Sequence, residues 1–91
     1  MTRALIPVGT HGTNSSLGTA VALTRPGGAY LLLIQAQSQN LRYTLDGTTP
    51  TASVGFQLFA GDTATILVGA GMAITVIQET AGATITYQWG V

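Results

Sequence analysis

The chain of 91 residues contains no cysteine and no lysine, and only 7% of its residues are charged. Without cysteine there is no disulfide and no thiolate metal site, which excludes the disulfide-rich secreted scaffolds. The positives are Arg3, Arg25 and Arg42, and the negatives are Asp46, Asp62 and Glu79, for a formal net charge of zero. Phosphate neutralisation needs clustered positives, so nucleic acid is not an expected partner. A basic membrane-surface helix is missing as well. The apolar runs Ala29 to Ile34 and Ala64 to Ile77 fall short of the ~18 residues that a spanning helix needs, and Gly69 and Gly71 interrupt the second. The first residues, Met1 to Pro7, lack the long apolar core of a signal peptide.

Threonine is the commonest residue, followed by glycine and alanine. The polar surface must therefore be built from Thr, Ser, Gln and Asn rather than from ions. A protein of near-zero net charge tends to associate, so much of this surface is expected to be covered by partners.

Residues Leu41 to Leu45 alternate, with Leu41, Tyr43 and Leu45 on one face and Arg42 and Thr44 on the other. A period of two marks a half-buried strand. Asp46-Gly47 suits a turn, and Pro50 cannot donate to a central ladder, so the next strand begins near Val54. The same reading assigns strands to Leu17–Thr24, Ala29–Gln37, Val54–Phe59, Ala64–Val68, Met72–Gln78 and Ala83–Trp89. Phe56 and Leu58 are expected to face inward, and Ile85, Tyr87 and Trp89 form one face of the last strand. Ala29–Gln37 is apolar on both faces at its start, with Tyr30, Leu32, Ile34 and Ala36 on one and Leu31 and Leu33 on the other. Such a strand sits centrally or is covered by another subunit. No segment repeats at 3.6 residues. The pattern predicts an all-β domain, a β-sandwich or small jelly-roll-like barrel of seven or eight short antiparallel strands over residues 17–91. Residues 1–16, glycine-rich and polar from Gly9 to Ser16, read as an extended N-terminal arm that a neighbour would order.

Catalytic chemistry finds little support. Asp46 and Asp62 stand at turns, where Asp bonds nearby main-chain N–H groups, and Glu79 ends a strand. His11 is the only histidine, and one His without Cys or a nearby carboxylate cannot assemble a zinc site within one chain. Ser15 and Ser16 lack a His-plus-carboxylate setting. Asn14-Ser15-Ser16 fits a glycosylation sequon, a motif that also arises by chance. No cofactor and no enzyme activity are expected. The candidate residues are instead contacts with a partner: Leu5 and Ile6 in the arm, His11 in the glycine-rich loop, Leu31 and Leu33 on the second face of their strand, and Trp89 near the C-terminus.

Two resemblances follow from these residues. Tyr43-Thr44-Leu45-Asp46-Gly47-Thr48-Thr49-Pro50-Thr51 resembles the corner motif of small bacterial β-sandwich modules appended to chitobiase-type glycosidases, which implies a carbohydrate-binding module. A longer pattern is similar to small β-rich virion proteins of tailed bacteriophages. It comprises Leu33 to Ala36, Arg42 to Gly55, Ala60 to Asp62 and Ala81 to Tyr87, in an order and spacing that cover about two thirds of the sequence. This resemblance implies a structural role in the virion: a capsid cement or decoration, or a connector or fibre-base protein. It further implies the major capsid protein and other copies of the chain, as a homotrimer, for partners, with synthesis in the host cytoplasm.

Overall fold

A computed structural model describes residues 5–69 and 71–91. The first four residues of the expected arm, with Arg3, and Ala70 in the Gly69–Gly71 turn lie outside the described residues. The described residues form eight strands: β1 (Gly12–Asn14), β2 (Val21–Leu23), β3 (Leu31–Gln37), β4 (Leu41–Thr44), β5 (Phe56–Leu58), β6 (Thr63–Leu67), β7 (Ile74–Gln78) and β8 (Thr84–Gly90). They form two four-stranded sheets, ordered β1-β8-β3-β6 and β2-β7-β4-β5. All strand pairs are antiparallel. The expectation of an all-β sandwich therefore holds, and its strand order is that of a jelly roll.

The topology has a simple origin. β4 pairs with β5, β3 with β6, β2 with β7 and β1 with β8. The chain is thus one long antiparallel ribbon, doubled back at residues 45–55 and wound so that successive pairs alternate between sheets. The Asp46–Pro50 corner is the apex of that ribbon. Gly47 and Gly55 take positive φ there, 87° and 121°, values that residues with a Cβ rarely adopt. A Cβ on Gly55 would also stand 2.9 Å from the Tyr43 carbonyl oxygen.

The core lies between the sheets. Leu32, Ile34 and Ala36 of β3, Ile85 and Trp89 of β8, Leu41 of β4 and Ile74 and Val76 of β7 are all buried there, with Leu17 and Leu58. The alternation read from the sequence therefore assigns most inward faces correctly. Two aromatic residues depart from it. Tyr30 is 40% exposed and Phe56 is 59% exposed. Tyr30 precedes β3, and Phe56 starts β5, an edge strand; at these ends of the sandwich the correct side of a strand is not covered by the opposing sheet.

The described part of the segment expected as an arm, from Leu5 on, is paired within its own chain. Ile6 and Val91 exchange two main-chain hydrogen bonds of 3.0 and 2.9 Å, and the Val8 N–H donates to the Trp89 carbonyl at 2.9 Å. Gly12, Thr13 and Asn14 then pair with Tyr87, Thr86 and Ile85. Three residues, Gly9 to His11, stand opposite Gln88 alone, so the strand bulges there. The Gln88 amide fills the bulge by donating to the Trp89 and Gly9 carbonyls at 2.8 and 3.2 Å.

Candidate functional site: an uncharged sheet face

The outer surface of the first sheet is where most of the expected contact residues meet. Alternation turns Leu31, Leu33 and Gln35 of β3 outward, because Leu32, Ile34 and Ala36 are in the core. Their cross-strand neighbours on β8 are Gly90, Gln88 and Thr86, and on β6 Leu67, Thr65 and Thr63. Strands β1, β3, β6 and β8 contain no Asp, Glu, Lys or Arg. Leu67 is 67% exposed at the edge of this uncharged field. A depression of about 140 Å³ brings His11 beside Leu33, Gln35, Thr63, Thr86 and Gln88. The bulge at Gly9–His11 is what carries His11 to the edge of this face.

The expected residues fare differently. Leu33 is half-buried and His11 and Ile6 are exposed, so all three are available to a partner. Leu31 is only 4% exposed, yet it lies outside the cluster between the sheets. Leu5 accounts for its setting: it rests on Gly90, the residue opposite Leu31, at the end of the outer face. Leu5 is thereby half-buried itself. Trp89 requires a correction. It is 5% exposed and belongs to the core. Nearness to the C-terminus suggested a free side chain, but β8 pairs on both sides, with β3 and the N-terminal segment, and parity points Trp89 inward. Leu67 is the exposed apolar residue that sequence reading passed over. Its signal was present in Thr63-Ala64-Thr65-Ile66-Leu67, where Leu67 shares parity with two threonines.

Charge gathers on the opposite sheet. The Arg42 Nε–H donates to Glu79 Oε2 at 2.8 Å, and the Gln57 amide donates to the same carboxylate at 2.8 and 2.9 Å. Arg42 also donates to the Gly55 carbonyl at 3.1 Å, tying the apex to the sheet. Desolvation beside the sheet pushes the Glu79 carboxyl up, but hydrogen bonds from Arg42, Asn40 and Gln57, with the Arg42 charge, outweigh it and hold the pKa below its ordinary 4.5. Asp46 is likewise held below 3.8, by hydrogen bonds from the Thr48 side chain and N–H. A carboxyl whose folded pKa is lowered stabilises the fold above its ordinary pKa and loses that contribution as pH falls through the lowered value. The urea midpoint is therefore expected to fall as pH drops below about 4.5, and Glu79→Gln should flatten part of that fall. An identical pH profile in the variant would show that the Glu79 network contributes nothing.

A second concavity lies at the apex. It is an open groove of about 470 Å³ between Thr44, Leu45, Asp46, Thr48, Val54, Gly55 and Phe56. The Phe56 and Tyr43 rings stand 5.6 Å apart, tilted by 37°. Among the described residues, no group of three or more His, Cys, Asp or Glu side chains gathers to hold a metal ion. Asp46 and Glu79 are engaged in turn and sheet contacts, and the Asn14 side chain accepts the Ser16 N–H at 2.7 Å. These polar groups shape the backbone. Comparison with known proteins finds no family, no curated protein and no solved structure that matches the chain.

Proposed function

We propose that this chain is a structural protein of a tailed-phage virion, a decoration that cements the head shell by binding the major capsid protein across capsomers. The observation that carries the reading is the uncharged outer face of the first sheet, with Leu33 half-buried and Leu67 exposed on it. Such a face loses little solvation energy when a partner covers it, because no ion has to be stripped of water. A ligand that binds only the assembled shell stabilises it by mass action, so many weak copies suffice. The jelly roll itself occurs in both capsid and lectin domains, so the fold does not choose the function.

The test is cosedimentation with purified head shells lacking this protein. Burying one leucine contributes about 1.5–3 kcal/mol, so Leu33→Arg should weaken binding about tenfold or more. Ala22→Arg, an exposed position in β2 on the other sheet, should bind as the parent does. Equal binding by Leu33→Arg and the parent would remove this face from the interface.

The apex groove favours a second reading, a carbohydrate-binding module, because the Phe56 ring, backed by Tyr43, and the Asp46 carboxylate line an open, mainly apolar groove. Aromatic faces and a carboxylate acceptor are what a sugar ring needs. Trp89 is buried and would not report such binding, so calorimetry against a glycan panel is the measurement. Binding that Phe56→Ala abolishes would support this reading, and silence across the panel would end it.

A further inference from the structure

Each sheet has two edges, and three of the four are short or interrupted. β2 and β5 are three residues long. The N-terminal edge contains Pro7 and the Gly9–His11 bulge. β6 differs: Thr63–Leu67 runs unbroken for five residues, with no Pro, Gly or charged residue. Natural edge strands are usually blunted by charge, proline, bulges or brevity, because an open edge templates pairing. β6 carries none of these guards.

Its hydrogen-bonding direction follows from the register. β3 and β6 pair Leu31 with Leu67 through Gln35 with Thr63. Just beyond each end, the Val68 N–H donates to the Tyr30 carbonyl at 2.8 Å and the Ala36 N–H to the Asp62 carbonyl at 3.2 Å. Bonded pairs in an antiparallel ladder fall at every second position. Ile66 and Ala64 therefore bond inward to β3, while the N–H and C=O groups of Thr63, Thr65 and Leu67 point away from it. Among the described residues no strand lies on that side.

We propose that β6 pairs with β6 of a second copy, antiparallel about a two-fold axis at Thr65. Thr65 then faces Thr65 of the second copy, and Thr63 faces Leu67. The three outward-bonding residues are spaced evenly about Thr65, so the two-fold rotation sets each donor against an acceptor. A second copy fits on charge as well. No side chain in the strand is ionised, and Asp62, the nearest charge, falls opposite Val68 rather than the other Asp62. The half-buried Ala64 and Ile66 face Ile66 and Ala64 of the second copy, extending the core across the junction. The product is a continuous eight-stranded sheet whose outer face is the uncharged surface described above. This pairing does not depend on the shell reading, since it concerns only the free protein. A contact built on one strand lies at the small, transient end of interfaces, so the dimer is concentration-dependent.

Sedimentation of the full chain over concentrations up to about 1 mM tests the pairing. The parent is expected to move from monomer towards dimer, and Thr65→Pro to raise the dissociation constant about tenfold or more. That proline removes an N–H facing the open edge, which an edge strand tolerates; Thr65→Lys gives the same readout if the proline variant fails to fold. Cysteine substitution sets the register, since the chain has no other cysteine. Thr65→Cys should oxidise to a linked dimer, whereas Leu67→Cys should not, and adding Thr63→Cys to Leu67→Cys should restore linkage. A parent that stays monomeric, an oligomer such as a trimer that is unmoved by both Thr65 substitutions, or equal linkage through Leu67→Cys alone would each overturn the proposal.

Discussion

Trp89→Ala is expected to remove a large fraction of the stability of the fold. The side chain is 5% exposed and packs in the cluster between the sheets. Truncating a buried Trp costs about 3–5 kcal/mol. A domain of this size has a total stability of about 5–15 kcal/mol, and no disulfide supplements it here. The urea midpoint should fall steeply. If Trp89 were a surface contact, the variant would keep its midpoint and lose only partner binding. That outcome would refute its placement in the core.

Gly90→Ala is expected to release the N-terminal segment while the rest of the sandwich stays folded. A Cβ at this position would stand 2.5 Å from Leu5 Cγ and 2.6 Å from the Ile6 carbonyl oxygen. The leucine could turn aside, but the carbonyl is held by the Val91 N–H at 2.9 Å. Relief therefore requires the segment to leave β8. Overpacking of this kind costs about 1–3 kcal/mol. Hydrogen exchange locates the damage: the Ile6 and Val8 amides should lose protection while the β3 amides keep theirs. Unchanged protection at Ile6 and Val8 would mean that the segment accommodates a methyl group without leaving.

The close packing at Gly90 bears on the expectation that residues 1–16 form an arm. Gly12 shows why the sequence concealed β1. A Cβ at Gly12 would clash with the phenol end of Tyr87, so glycine lets β1 lie against β8 with that side chain in place. In sequence, that glycine and its neighbours signal a loop. The requirement comes from a tyrosine 75 positions along the chain, as the register Gly12↔Tyr87 records. Deleting residues 1–16 would accordingly strip an edge from the first sheet, which makes point substitutions the cleaner probe of binding.

The candidate surface divides in the same way. Leu31 and Leu33 were recognisable because two leucines on the second face of a strand break the usual apolar-polar alternation. That Leu31 is covered by its own chain, and Leu33 left available, depends on where Leu5 comes to rest. His11 beside Leu33 depends on a bulge that no local pattern announces. Phe56 shares parity with the buried Leu58, yet it is exposed because the sheet ends there.

The positions of every strand but β1, most of the inward faces and the apex at Asp46–Pro50 were determined by the sequence alone. Each is a local property: side-chain parity repeats every two residues, and turn residues restrict their own dihedrals. Which strands became edges, which face stayed free of charge, and which apolar side chains were left for a partner were decided only by the tertiary structure. Those outcomes depend on pairing residues far apart in the chain, and the same alternating strand fits a sheet centre or a sheet edge until its neighbours are in place.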